Sequence, residues 1–328
     1  MRFWMTNKEQ PMDSVYEDVK SILENRRIRS EILLKLKKDQ IRKEHPEIES
    51  IEQEIDKMTE DTLLAALEGK SCEDLASRIA PLEKKRDDLL KDLGVDPQIL
   101  LPEPFCKHCN DTGYIRKPGK DGTVETDLCV CVRELLAPVM LSRSGVENYP
   151  NYSFDKAADS FYEGNATMQE LFEKLRKLAE KEKLPNAVFY GKSGKGKTFT
   201  AVSCARAYAK QGRSALVIRQ AEAQELMMEH RKAIQSFYMA PSKEKEIEER
   251  VGYLTQSDLL VLDDLGVEAR TPNTEADLLY LLDTRMLAGK TTIITTNFDL
   301  ESLKERYGGR FFDRIDRSFK MLRFTCEG

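Results

Sequence analysis

No window of this 328-residue chain approaches the run of roughly 18 apolar residues that a membrane-spanning helix requires. The N-terminal stretch MRFWMTNKEQPMDSVYEDVK likewise lacks an apolar core behind its arginine. Both absences predict a soluble, cytoplasmic chain without membrane contact. Excess positive charge is missing too: Lys and Arg number 52 against 57 Asp and Glu, a net of −5. No basic field covers the molecule, so any contact with nucleic acid must be local. Nor is there a dispersed disulfide framework. Of seven cysteines, Cys106, Cys109, Cys129 and Cys131 crowd into one segment, which suits reduced thiols or a bound metal. Cys72, Cys204 and Cys326 are scattered and read as buried structural thiols. Internal repeats and low-complexity tracts are absent, and after Tyr16 the first hundred residues hold no further aromatic.

What those first residues do hold is helical periodicity. Ile48, Ile51, Ile55 and Met58 recur at spacings of three and four, as do Leu75, Ile79 and Leu82, with Leu89 and Leu93 in phase. Long amphipathic or coiled-coil-like helices are predicted over 1–104. RRIRSEILLKLKKDQIRK is basic and EHPEIESIEQEIDKMTED, across Pro46, is acidic, so two antiparallel helices can face each other with opposite charge. Such a hairpin serves either as a solvated arm or as a partner-docking arm. GVDPQILLPEPF, with three prolines, stops the last helix. A cysteine module over 105–135 and a linker over 136–150 follow. From 151 to 328 short β-rich runs alternate with helices: NAVFYG, KTFTAVSCARAYAKQG, SALVIR, AEAQELMMEHRKAIQSFYM, DLLVLDDLG, TEADLLYLLDTRMLAG and TTIITTN. That alternation predicts an α/β domain with a parallel sheet sandwiched by helices.

Three strand ends carry chemistry. Gly191-Lys192-Ser193-Gly194-Lys195-Gly196-Lys197-Thr198 completes G-x-x-x-x-G-K-T between a strand and a helix, and Phe199 follows in that helix. Glycines let successive N–H groups turn toward phosphate oxygens, and the helix N-terminus adds partial positive charge. Lys197 supplies a point charge at the β- and γ-phosphates, and the Thr198 hydroxyl is a ligand for Mg²⁺. DLLVLDDLG places Asp263 and Asp264 at the ligand side of a buried strand, the first to hold Mg²⁺ through water, the second to orient or deprotonate an attacking water. TTIITTN ends in Asn297, whose amide can reach the γ-phosphate or the water. Separately, FCKHCNDTGYIRKPGKDGTVETDLCVCV spaces C-x₂-C and C-x-C by nineteen residues. Four thiolates from Cys106, Cys109, Cys129 and Cys131 can close a tetrahedral Zn²⁺ site, against the alternatives of uncoordinated reduced thiols or a redox pair. His108 lies between the first pair as a bystander or as a replacement for Cys131.

GKSGKGKT, LLVLDDLG, TTNFDLESL and RYGGRFFDRI, in this order, resemble the AAA+ ATPases of the bacterial helicase-loader group, DnaC and DnaI, with the IstB transposition ATPases as relatives. The likeness covers Asn151 to Gly328. It implies an ASCE-type P-loop sheet without a helical lid, ATP with Mg²⁺, ring or spiral assembly, and the placing of a replicative DNA helicase on single-stranded DNA. Under it Lys197 and Thr198 match Walker A, Asp263 and Asp264 Walker B, and Asn297 the first sensor. Arg314 matches the arginine finger, supplied to a neighbouring subunit, with Arg310 as its rival. Many AAA+ enzymes carry Glu where this chain has Asp264, which implies slow, switch-like hydrolysis. The cysteine segment resembles the zinc-binding region of the DnaI-like loaders.

Four functions compete on these residues. The first is an ATP-switched helicase loader whose N-terminal region grips the helicase. An IstB-like transposition or phage-encoded helper acting on a DNA-bound recombinase is the second. A zinc-containing adaptor with ATP as a structural ligand is opposed by the double Asp. A small-molecule kinase is opposed by the lack of an Arg-rich lid after the phosphate loop. For single-stranded DNA the residues at hand are Arg231, Lys232, Phe237 and Tyr238, which mix basic and aromatic side chains as stacking grooves do, or else form a buried stripe.

Overall fold

The computed structural model describes residues 12–67, 75–118, 123–156, 165–181, 183–235 and 240–325. They form two compact units, Glu17–Cys129 and, with residues 12–16, Val130–Gly328. Cys72, Cys326, Phe237 and Tyr238 lie outside the described residues.

In the N-terminal unit, α1 (Met12–Glu44) and α2 (Pro46–Leu67) meet at His45, where Pro46 removes a helical N–H and opens the second helix. The two helices do pair by charge. Lys38 Nζ lies 3.1 Å from Glu52 Oε2, and Arg42 Nη2 lies 2.7 Å from Asp56 Oδ2. A third helix, α3 (Leu75–Asp92), brings Arg86 to the other oxygen of Glu52 at 2.9 Å. Glu52 is 2 % exposed, so this is a buried network beside the small apolar core of Ile41, Ile48, Leu90 and Leu100. β1 (Tyr114–Pro118) and β2 (Val124–Leu128) pair antiparallel and bring the two cysteine pairs together.

The C-terminal unit starts earlier than the sequence suggests. Val130–Arg143 is a helix, α4, with Leu136 and Met140 fully buried. Gly145 follows at φ 72°, where a Cβ would meet the Val217 carbonyl oxygen at 2.8 Å. The 136–150 stretch expected as a linker is therefore helix and packed turn. After it come α5 (Ala166–Lys181), β3 (Ala187–Tyr190), α6 (Lys197–Lys210), β4 (Ala215–Arg219), α7 (Gln220–Gln235), α8 (Pro241–Gln256), β5 (Leu259–Leu265), α9 (Thr274–Leu287), β6 (Thr291–Thr296), α10 (Leu300–Ser318) and β7 (Lys320–Arg323). The sheet is parallel in the order β4-β5-β6-β3-β7. β3, β4 and the first half of β5 are apolar because both faces are covered, and β6 is buried along its whole length. Ala187, Phe189, Val217, Val261 and Ile293 pack into the α5–α6 side, while Val188, Leu216, Leu260, Leu262 and Ile294 pack with α7 to α10. β6 stands between β5 and β3. Asn297, directly after β6, is thereby placed between the phosphate loop and the acidic strand end, as an ASCE sheet requires.

Candidate active site

The chain leaves β3 at Tyr190, turns through Gly191–Gly196 and opens α6 at Lys197. Gly191 (φ 129°) passes so close to the backbone of Phe324 that a Cβ would lie 2.6 Å from its carbonyl oxygen. Gly196 caps α6 in the left-handed region, with no side chain bonded to the helix end. The N-terminus of α6, with its N–H groups and partial positive charge, opens directly from this loop, and a phosphate suits it.

Lys197 is 5 % exposed. Its Nζ donates to the carbonyl oxygens of Gly191 (2.7 Å) and Lys192 (2.8 Å) and to Asn297 Oδ1 (2.9 Å). Burial pushes the ammonium below the usual lysine range, and the charges of Asp264 and Asp263 oppose that fall. All three acceptors are neutral, so charged phosphate oxygens would form the stronger bonds.

Asp263 is the fifth residue of β5 and is 3 % exposed. Its Oδ1 accepts from Thr198 Oγ1 at 2.8 Å and from Thr295 Oγ1 at 2.7 Å. Burial pushes its carboxyl above the usual range; the two hydroxyls pull it back, and the charge of Asp264 adds to the rise. A desolvated carboxylate beside a threonine hydroxyl is a hard-oxygen donor set, and Mg²⁺ fits it. Thr198 and Asp263 would hold the ion. Asp264 has φ 56°, an αL conformation held by its N–H bond to Thr295 Oγ1 at 3.0 Å. One hydroxyl thus orients both acids.

Two further groups reach this site without having been read from the sequence. Arg219 ends β4 in register with Asp263. Tyr149 is hydrogen-bonded to Arg219, and its phenol is pushed up by burial and by the charge of Asp263. The strand-end position of Arg219 is the signal the sequence offers; Tyr149 lies in 136–150, where the sequence suggests a linker. Arg206 holds that stretch by donating to the carbonyls of Val146, Tyr149 and Tyr152 at 2.7–2.8 Å.

Other predicted residues lie elsewhere. The Phe199 side chain is in the core against Tyr152 and Phe172. Arg314 is exposed on α10 and engages Asp283 of α9 through Nε (2.8 Å) and Nη2 (3.1 Å). Arg310 is exposed on the same helix. Arg231 pairs with Asp277, which ties α7 to α9.

The four cysteines come together. Every pair of Sγ atoms in Cys106, Cys109, Cys129 and Cys131 lies within 4.8 Å, and Cys106 and Cys129 are 3.6 Å apart. Tetrahedral Zn–S bonds of about 2.3 Å place sulfurs about 3.8 Å apart, so the group fits zinc. Turns shape it: Asn110 and Asp111 have positive φ, and the buried Asp111 carboxylate accepts from the N–H groups of Phe105 and Cys106 at 2.8 and 2.9 Å. Burial raises the Cys106 thiol, but bonds from the Cys109 and His108 backbone outweigh it and draw it down to about 7. His108 is exposed and outside the group. Cys204 is fully buried, and burial pushes its thiol up, as in an inert core cysteine.

A phosphate loop, a buried acid with a threonine hydroxyl, and an amide on the intervening strand define a P-loop nucleotide-binding protein. Residues 150–314, half of the chain, match the family described as IstB-like ATP binding protein. The chain belongs to that family. It is similar to the replicative helicase loader DnaC of Escherichia coli (strain K12), at 26% identity over 128 residues, 39% of this chain and 49% of DnaC. The ATP-binding protein of insertion sequence IS232 from Bacillus thuringiensis subsp. berliner is 31% identical over 134 residues, 41% of this chain and 48% of that protein. In both, the match spans about half of the relative's length. Among solved structures, that of the DnaC helicase loader aligns with a TM-score of 0.44 and 22% identity, over 55% of this chain and 99% of that one.

Proposed function

We propose that the chain is an ATP-dependent loader that places a replicative DNA helicase on single-stranded DNA and works as an oligomeric switch. The observation that carries the switch is the bond from Lys197 to Asn297 at 2.9 Å. A γ-phosphate competes for both partners, so nucleotide binding changes what the end of β6 is attached to. Mg²⁺, when bound by Thr198 and Asp263, supplies charge neutralisation at the phosphates. Asp264 orients or deprotonates the attacking water, and its short side chain makes hydrolysis slow. Arg314, with Arg310 as rival, completes the ATP site of a neighbouring subunit in a ring or spiral.

The loader reading is supported by the likeness to DnaC. In it, residues 1–104 grip the helicase, the Cys₄ segment holds zinc, and the C-terminal unit, α4 and the turn after it included, binds and hydrolyses ATP. Single-stranded DNA contacts that domain. A second reading is a transposition or phage-encoded helper acting on a DNA-bound recombinase, favoured by the family match and by the likeness to the IS232 protein. Lys197→Ala removes a phosphate charge and no apolar packing, so it abolishes ATP binding or hydrolysis while the fold survives. Fluorescent-ATP titration with turnover checks this; unchanged affinity and turnover overturn the ATPase reading. Co-purification from the native cell separates the two partners: a helicase in one case, a recombinase in the other.

A further inference from the structure

A buried carboxylate stands between the acidic strand end and the helix that carries Arg310 and Arg314. Glu268 lies four residues beyond Asp264 and is 4 % exposed. One of its oxygens accepts from the Gly266 N–H at 2.8 Å. The other accepts from the hydroxyl of Tyr307 on α10, itself 3 % exposed. Arg306 adds a bond from Nη2 to the Glu268 carbonyl at 2.8 Å, and its guanidinium lies 5.6 Å from the centre of the Phe298 ring. Phe298 directly follows Asn297 and covers Gly266 so tightly that a Cβ there would be 2.0 Å from the ring. The turn after Asp264 is thus clamped from both sides.

The helix on the far side of this clamp is divided. Gly308 interrupts α10 with φ 81° and ψ 166°. Residues 300–307, which include Arg306 and Tyr307, are tied to Glu268, and residues 309–318 carry Arg310 and Arg314. An apolar side chain would fill the space at less desolvation cost than a carboxylate, so packing alone does not account for an acid here. What the acid adds is a directional link, with one oxygen on the turn of Asp264 and one on the last residue before the break.

We propose that Glu268 and Tyr307 are positioning residues that fix the Asp264 turn to α10 and transmit a change at Asn297 and Asp264 on nucleotide binding to the helix of Arg310 and Arg314. This rests on the ATPase reading above. A displaced turn misaims Asp264 without touching the phosphate loop, so the defect appears in kcat rather than in ATP affinity.

The test uses the full chain. Tyr307→Phe keeps the ring and removes the hydroxyl; it is expected to bind a non-hydrolysable ATP analogue within about twofold of the wild type while kcat falls about 10- to 100-fold, the scale of a small misplacement. Glu268→Gln keeps an acceptor for Gly266 and a polar partner for Tyr307, and recovers most of the turnover lost in Glu268→Ala. Hydrogen exchange supplies a readout independent of turnover. The analogue slows exchange at both 191–198 and 300–318 in the wild type, and only at 191–198 in Tyr307→Phe. Wild-type kcat in Tyr307→Phe, with exchange still slowed at both segments and Lys197→Ala inactive, overturns this proposal and leaves the ATPase reading standing. A wild-type chain that does not hydrolyse ATP overturns both.

Discussion

Thr295→Val keeps the branched shape that β6 buries and removes one hydroxyl. That hydroxyl donates to Asp263 at 2.7 Å and accepts from the Asp264 N–H at 3.0 Å. A hydrogen bond to a charged group contributes about 1.5–3 kcal/mol, and a buried N–H left without an acceptor costs about 1–3. Both losses run through one atom and are not additive, so about 2–4 kcal/mol is expected in all. For a unit of this size, Tm falls by about 5–12 °C. The pH dependence has a definite sign. Burial holds the Asp263 carboxyl above its ordinary value of 3.8, with the Thr295 bond working against that rise. The ionised acid is therefore a burden that is absent below about 3.8 and grows as pH rises through the folded value. Losing the bond enlarges it. Urea denaturation at neutral pH and near pH 4.5 should show the larger deficit at neutral pH, and turnover should fall with it. Equal deficits at both values, or unchanged turnover, would refute a role for this hydroxyl in holding the two acids.

Protein purified without added zinc should contain one Zn²⁺ per chain, and its removal by a chelator should unfold the 105–131 segment; a metal-free, folded protein with four freely titrating thiols would remove that site. In the helical unit, Glu52→Ala should destabilise by about 2–4 kcal/mol by leaving the buried Arg86 short of a partner, softened because Arg86 keeps Asp87 at 2.8 Å. Burial raises the Glu52 carboxyl, but bonds from Arg86 and Lys38 hold it below its ordinary 4.5. The contribution is therefore full above about 4.5 and is lost as pH falls through the folded value, so the deficit measured by urea denaturation should shrink on acidification.

Lys197, Thr198, Asp263 and Asn297 were legible because each sits at a strand end or in a fixed-spacing loop, and the sheet joins them without help from distant residues. The pairing of α1 with α2 was legible for a similar reason: segregated charge on either side of Pro46 leaves one antiparallel match. Thr295 was not, since TTIITT reads as ordinary β-branched filling and its four hydroxyls give no sign of which one meets an acid. Glu268 and Tyr307 are 39 residues apart and carry no periodic signal; long-range side-chain pairs of this kind arise only once the sheet has set its neighbours. The helix α4 was hidden by its internal Pro138, and β7 by its brevity and half-exposed edge position.

Mixing two inactive chains tests the switch most directly. Arg314→Ala retains Lys197, and Lys197→Ala retains Arg314; in the isolated chain Arg314 engages Asp283. If Arg314 serves a neighbour, its loss lowers hydrolysis by orders of magnitude, within the range of roughly 10³ to 10⁵ for arginine fingers, while ATP still binds. A mixture of the two variants then regains activity, because one subunit lends its arginine to the other's ATP. Arg310→Ala in the same format separates the rival. Recovery on mixing is expected; no recovery, in a preparation shown to co-assemble, would mean that hydrolysis is completed within one chain and would contradict the oligomeric switch.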